Sequence, residues 1–379
     1  MSRPNRALLL GLIAVVAGVW VLQRGLHAAR YGAMAVPAPE FPPPGVNVSG
    51  TTWINSPPLT LAGLKGKVVL VDFWEYTCIN CIRTFETNKR WYRRYHADGL
   101  EIVGVHDPEF DIAYPVDHVR EAVQRFGLPY PVVVDDWFRI WKAYDNSTWP
   151  NRFLIDAKGV IRFNVPGEGN DDAFEKAIQL LLQEAHPGLK FPPADAIPVE
   201  PDAFGPRCGV PTEEMYVGDW YGLGVLANPE GYRDGKTVAY SMPATGPANV
   251  DDGRVMLAGR WQTGKNGMTF RGGAPGPQQL ALRYHAREIY AVLNVAQGHP
   301  TRLYLRQDGR DLTAADKGAD VQLDANGHSY ITVNPARMYY LAQNPSFGSH
   351  HLELLPTDPG LTVNSFVFGN NCQTDFPHR

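Results

Sequence analysis

The chain has 379 residues, 44% hydrophobic and 20% charged, a globular composition that argues against disorder over most of its length and allows two cores. Its 35 basic and 39 acidic residues give a net charge of -4 and form no long basic stripe, which excludes a nucleic-acid binder that tracks phosphates. Four cysteines, Cys78, Cys81, Cys208 and Cys372, are too few for a disulfide-dense scaffold, so each pair needs its own explanation.

Arg3 and Arg6 precede an uncharged apolar run from Ala7 to Leu22. That pattern fits a signal-peptide core or a short membrane anchor, and either sends the chain to the membrane. Ala33-Met34-Ala35 offers small residues for cleavage, but the intervening stretch is long and carries Arg24 and Arg30, so residues 1–30 are read as an uncleaved single-pass anchor. A proline-rich spacer is expected over 31–49. Both following domains then lie outside the cytoplasm, at the inner membrane facing the periplasm or its equivalent, where disulfides persist.

The first domain is expected over 50–185. Lys67 to Trp74 is an apolar β-branched run of the kind buried on both faces of a sheet. Cys78-Ile79-Asn80-Cys81 follows and leads into a helical stretch from Ile82 to His96 without Gly or Pro. Cys78 therefore falls at a strand-to-helix junction, where free N–H groups and the helix dipole are expected to lower its thiol pKa and make it the attacking nucleophile. Cys81, one turn further on, can resolve a mixed disulfide on Cys78 and close the Cys78–Cys81 bond. No cofactor beyond that redox-active disulfide is expected.

Asp72 interrupts the apolar strand, where a lone carboxylate ionises at a cost and should have a raised pKa. It is a candidate to accept the proton of Cys81; a carboxylate merely bonded at a strand end is the plainer reading. Glu75, His106 and Glu109 are read as structural polar residues at strand ends. A zinc site would need four ligands, and Cys208 and Cys372 supply no second close pair, so no metal is expected.

Glu101 to Val105 reads as a second strand, Val116 to Phe126 as a helix and Tyr130 to Val134 as a third strand. A short helix over Trp137 to Tyr144 is followed by Trp149-Pro150, a hairpin of Asn151 to Asp156 and Val160 to Val165, and a helix from Asp171 to Glu184. Strands alternating with helices give an α/β domain.

Val71-Asp72-Phe73-Trp74 before the CxxC resembles the thioredoxin signature, and Trp149-Pro150 before a strand-turn-strand resembles that fold's cis-proline loop. The wider stretches Trp53 to Leu59, Phe73 to Thr84 and Gly104 to Phe110 are similar to the membrane-tethered TlpA/ResA-like redoxins and above all to the DipZ-like group. The resemblance implies a thioredoxin fold, a mixed sheet flanked by helices, with Trp149, Pro150 and Trp74 as substrate-binding residues. It implies exchange of disulfides with exported protein thiols, as a reductant, with electrons from a separate membrane thiol transporter. The chain departs from the pattern at Glu86, where relatives carry proline, and at Thr77, where thioredoxins carry tryptophan.

Prolines at 187, 192, 193, 198, 201 and 206 mark an extended linker over 186–206. Beyond it, over 207–379, short β-prone runs such as Gly253 to Trp261, Leu280 to Tyr284, Glu288 to Val295, Thr301 to Gln307, Ser329 to Val333 and Ser365 to Phe368 alternate with turn residues. They predict an all-β jelly roll or sandwich. Arg337 to Leu341, Gly348 to Leu354 and Phe366 to Gly369 are similar to the C-terminal module of DipZ-like proteins, which resembles carbohydrate-binding jelly rolls. A glycan partner follows from that resemblance, with Trp220, Tyr221, Tyr232 and Trp261 as candidate stacking faces; aromatics on short strands are otherwise core residues. Cys208 opens this domain and Cys372 nearly closes it, so a structural disulfide is expected between them, against two inert buried thiols.

Overall fold

In the computed structural model of the chain the described residues are 36–41, 51–194, 209–219, 224–242, 246, 250–273, 276–296 and 299–369. The expected anchor over 1–30, Cys208, Cys372, Trp220 and Tyr221 lie outside them. Among the described residues no helix is long and apolar enough to cross a membrane. The chain gathers into two compact units that do not follow chain order: one of Met1–Trp74, Thr84–Asp107 and Gly127–Ala196, the other of Glu75–Arg83, Pro108–Phe126 and Ile197–Arg379.

The first unit is built on seven strands: β1 (Val36–Pro37), β2 (Thr51–Ile54), β3 (Val68–Trp74), β4 (Leu100–His106), β5 (Val132–Asp135), β6 (Asn151–Ile155) and β7 (Val160–Pro166). They form one mixed sheet in the order β1-β7-β6-β3-β4-β5-β2, with β4 parallel to β3 and β5 and every other pairing antiparallel. All seven residues of β3 are buried, as expected for a central strand covered on both faces. Helices α1 (Ile79–Tyr95), α2 (Val116–Phe126), α3 (Arg139–Ala143) and α4 (Asp171–Ala185) complete the α/β architecture of a thioredoxin-like fold.

Two stretches read as connectors are built into this unit. Val36–Pro37 adds an edge strand against Val160 and Ile161, a place where proline costs no ladder hydrogen bond, and Phe41 is fully buried in the core of Val71, Phe73, Val105 and Phe153. Past α4, Phe191 meets the ring of Tyr95 edge-on, while the carbonyls of Pro192 and Pro193 accept from Gln179 and Arg94. The prolines hold this stretch extended, so its carbonyls are free for side chains to bind.

The second unit carries an all-β sheet of eleven strands: β8 (Met215–Tyr216), β9 (Thr237–Tyr240), β10 (Val255–Thr263), β11 (Met268–Phe270), β12 (Gln279–Asn294), β13 (Thr301–Gln307), β14 (Arg310–Asp311), β15 (Gln322–Leu323), β16 (Ser329–Val333), β17 (Arg337–Pro356) and β18 (Thr362–Gly369). The run expected as two strands, Leu280 to Tyr284 and Glu288 to Val295, is a single strand, β12, with its register to β17 shifted between Ala286 and Glu288. Such bulges bend a strand without ending it. The bend lets the first part of β12 pair with β10 and the last part with β18, while β17 follows its other edge throughout.

Candidate redox site

The loop after β3 belongs to the second unit and is pinned by its own side chains. Glu75, fully buried, accepts hydrogen bonds from the backbone N–H and the hydroxyl of Thr77, the former at 2.7 Å. The buried Tyr76 donates its hydroxyl to the carbonyl of Ile112 at 2.7 Å. Cys78 stands immediately before α1, and its carbonyl accepts from Ile82 N–H at 3.1 Å, which makes it the residue that opens the helix. Helix α1 runs unbroken through Glu86.

Both cysteines of this pair are thiols. Cys78 is partly exposed, whereas Cys81 is buried, and the Cys81 backbone N–H donates to Cys78 Sγ at 3.2 Å. The outer sulfur is open to attack or be attacked, and the inner one sits a single helical turn behind it.

The expectation of a lowered Cys78 pKa is overturned. Loss of hydration raises it first, and the Glu109 and Glu75 carboxylates raise it further; hydrogen bonds from Cys81 pull the other way without prevailing. A helix N-terminus contributes only a partial charge, which does not offset the cost of leaving a thiolate without its water.

Those carboxylates form a group that the sequence did not announce as a site. Glu109 is half-buried and held well above the usual carboxylate range by loss of hydration, then by Glu214 and Glu75. Glu214 keeps exposed surface, yet the protein crowding it pushes its carboxyl up to about 7, with Glu75 adding to the effect. Tyr216, half-buried on β8, donates its hydroxyl to Glu109 Oε1 at 2.6 Å. The sequence marks Glu109 only as a structural strand-end residue and gives no sign of Glu214 or Tyr216, because only tertiary folding brings these distant segments together.

A second link joins the start of α1 to the β-sheet of the same unit. Arg83 Nη2 lies 3.3 Å from Oε2 of the buried Glu288 on β12 and 3.2 Å separates its Nη1 from Asn80 Oδ1. Tyr290 and Tyr340 donate their hydroxyls to Glu288, each at 2.9 Å, and their rings stack. Ile79, between the two cysteines, packs in one apolar cluster with Phe110, Tyr290, Val292, Met338 and Tyr340.

In the first unit, Asp72 is fully buried on β3 and accepts from Asn88 Nδ2 at 2.8 Å. Burial pushes its carboxyl up to about 7, against the opposing pull of Arg152 and Asn88. Trp74 has no exposed surface and meets Phe85 and His106 edge-on, so its expected direct contact with substrate is corrected: it can act only through what it supports. The Trp149–Pro150 peptide is cis, and Trp149, partly exposed, lies against Trp141 at 4.4 Å between ring centroids. Nearby in sequence, Trp137 is 56% exposed, a large apolar surface left to solvent.

Trp261 is fully buried with its indole N–H on the carbonyl of Ala258, and the Tyr232 hydroxyl donates to the carbonyl of Val217. A stacking platform needs an open ring face, so Trp261 is a core residue and not a glycan contact. Among the described residues no cluster of His, Cys, Asp and Glu is placed to hold a metal ion.

Two family models match the chain: AhpC/TSA family over residues 37–164 and Thioredoxin like C-terminal domain over 212–369. The thiol-disulfide oxidoreductase ResA of Bacillus subtilis is 31% identical over 127 residues, which cover 34% of this chain and 68% of ResA. The chain belongs to the redoxin family of thiol-disulfide oxidoreductases. Protein DipZ of Mycobacterium bovis is similar over both domains, 32% identical over 325 residues covering 84% of this chain. This redoxin spans 42% of the length of DipZ. A crystal structure of a thiol:disulfide interchange protein from Chlorobium tepidum superposes with a TM-score of 0.33 at 22% identity, covering 40% of this chain and 98% of that one.

Proposed function

We propose that this redoxin reduces disulfides in exported proteins through Cys78 and Cys81, tethered to the inner membrane by residues 1–30 with both domains outside the cytoplasm. The observation that carries the reading is the pair itself: a partly exposed Cys78 at the mouth of α1 and a buried Cys81 whose N–H reaches its sulfur. Cys78, once deprotonated, attacks a substrate disulfide, forming a mixed disulfide and releasing one substrate thiolate. Cys81 then attacks Cys78 Sγ; the Cys78–Cys81 bond forms and the second substrate sulfur leaves. The substrate gains two electrons and two protons, the pair loses them, and an external dithiol, for which a separate membrane thiol-electron transporter is the candidate, restores it.

The direction of transfer follows from the surroundings of Cys78. Strong oxidants of this class owe their potential to a stabilised reduced form. Here loss of hydration, with Glu109 and Glu75 adding to it, disfavours the Cys78 thiolate, which supports a reductant. Asp72, buried with its affinity near neutrality and six residues before Cys78 in the chain, is proposed as the acceptor of the Cys81 proton. Trp149 and the cis Pro150 are proposed to contact the substrate. The β-domain is read as a sandwich that serves the redox site; a glycan partner has lost Trp261 as its stacking face.

Insulin reduction by the purified chain, supplied with an excess of small dithiol, tests the activity. The wild type should accelerate precipitation of the insulin B chain and Cys78→Ser should not; a wild type no faster than Cys78→Ser overturns the reading.

A further inference from the structure

Both residues between the cysteines are held by the β-sheet of their own unit. Ile79 is buried in the apolar cluster that contains Tyr290 and Tyr340, and the exposed Asn80 has its Oδ1 3.2 Å from Arg83 Nη1. The other arm of that guanidinium, Nη2, lies 3.3 Å from Oε2 of the buried Glu288, whose carboxylate also accepts from the hydroxyls of the same two tyrosines. A planar fork that meets two partners at once fixes a geometry that a single ammonium group would not. The sheet makes room for this contact at Gly369. It stands opposite Glu288 in the pairing of β12 with β18, and a Cβ on it would run into Arg83 Nη2 and fall 2.7 Å from Glu288 Oε2. A buried carboxylate, two phenols and a missing side chain thus form a socket for the arginine that follows the cysteine pair.

We propose that Glu288, acting through Arg83, is a positioning residue of the redox pair: the socket holds the Ile79–Asn80 dipeptide in the turn that keeps the two sulfurs ready to close, and so makes the couple more reducing. This rests on the reading of Cys78 and Cys81 as the working dithiol. In the dithiol the Cys81 N–H already meets Cys78 Sγ at 3.2 Å, so the first turn of α1 is formed before any bond joins the sulfurs. A pair held in this way closes at a high effective concentration, whereas a loose pair must first give up its freedom. The disulfide fixes the dipeptide through its own covalent ring. Opening the socket therefore costs both redox forms the same contacts but returns freedom to the dithiol alone. A couple whose reduced form gains stability in this way becomes more oxidising.

The test measures the equilibrium of the full-length protein with glutathione buffers. In it the pair gives two electrons and two protons to oxidised glutathione, the Cys78–Cys81 bond forms, and the glutathione disulfide parts into its two thiols. Arg83→Met should lower that equilibrium constant about tenfold, a potential about 30 mV less negative. Glu288→Gln should act in the same direction, and the double variant should go no further than Arg83→Met. A potential equal to wild type overturns the proposal, because contacts that merely support the fold weaken both redox forms alike. A more negative potential overturns it too, since that is the sign expected if the Arg83 cation acts on the thiolate as a charge. Should Arg83→Met fail to fold, Asn80→Ala and Glu288→Gln loosen the socket from its two ends and decide: a potential unmoved by either, or two shifts that add in full when combined, overturns it. The glutathione equilibrium is read whether or not insulin is reduced, so failure of the proposed activity stays distinct from failure of this inference.

Discussion

Nη2 of Arg83 lies 3.3 Å from Oε2 of Glu288, a carboxylate with 1% of its side-chain surface exposed. The two phenols of Tyr290 and Tyr340 share that carboxylate, so one cation and two donors compensate its lost hydration. Cutting the cation away should therefore cost more than an exposed ion pair would. Arg83→Met is expected to destabilise the protein by about 3 kcal/mol, and Glu288→Gln added to it should recover part of that loss. Urea midpoints of the four proteins check this; equal midpoints for wild type and Arg83→Met contradict it.

Asp72 should make stability depend on pH. Its carboxyl titrates at about 7 in the folded chain against an ordinary value of 3.8. Below both values the acid is protonated in either state and its contribution to stability is fully present. As pH rises from the lower value through the higher, the unfolded chain releases a proton that the folded chain keeps, so stability is lost. Asp72→Asn should be more stable than wild type above neutrality, by up to about 4 kcal/mol for a shift of this size, and the advantage should vanish in acid. Denaturation series across that pH range, with a carboxyl NMR titration of Asp72, provide the check.

The division of labour between the sulfurs predicts a trap. Cys81→Ser should accumulate a mixed disulfide on Cys78 with a model substrate, resolved only by added dithiol, while Cys78→Ser should form none because Cys81 is buried. Non-reducing gels and peptide mass spectrometry read the outcome. Comparable adducts on Cys81 in the Cys78→Ser protein would contradict the assignment.

Gly104 on β4 is a close-approach glycine. A Cβ there would fall 2.8 Å from Trp74 Nε1 and 3.3 Å from Val132 Cγ2, in a core with no room for either to retreat. Gly104→Ala should cost about 1–3 kcal/mol and disturb Trp74, seen as a lower melting temperature together with altered tryptophan fluorescence. An unchanged melt would mean the core repacks.

The redoxin fold was legible because its signals are local. Val68–Trp74 is apolar and β-branched throughout, Val116–Phe126 has helical bounds readable from the sequence, and the CxxC follows its strand within a few residues. The long strand Gln279–Asn294 was less legible, since a bulge interrupts the alternation of inward and outward residues without breaking the pairing. Val36–Pro37 hid its strand behind a proline-rich composition. For the site, position announced Cys78 and Cys81, but the sign of the Cys78 shift depended first on the loss of hydration that folding imposes, with Glu109 and Glu75 adding to it through space. Tyr216 carries no local signal at all, because its only distinction is which carboxylate it meets.

The peptide that bears the two cysteines shares a compact unit with the β-domain rather than with the sheet it follows. A chain cut short after residue 196 would keep the mixed sheet but expose Ile79 and Phe110, strip Arg83 of Glu288 and leave Glu109 without its phenol. Catalytic constants measured on such a fragment would describe a different reagent, and swapping β-domains between related chains becomes a way to retune the chemistry without touching the cysteines.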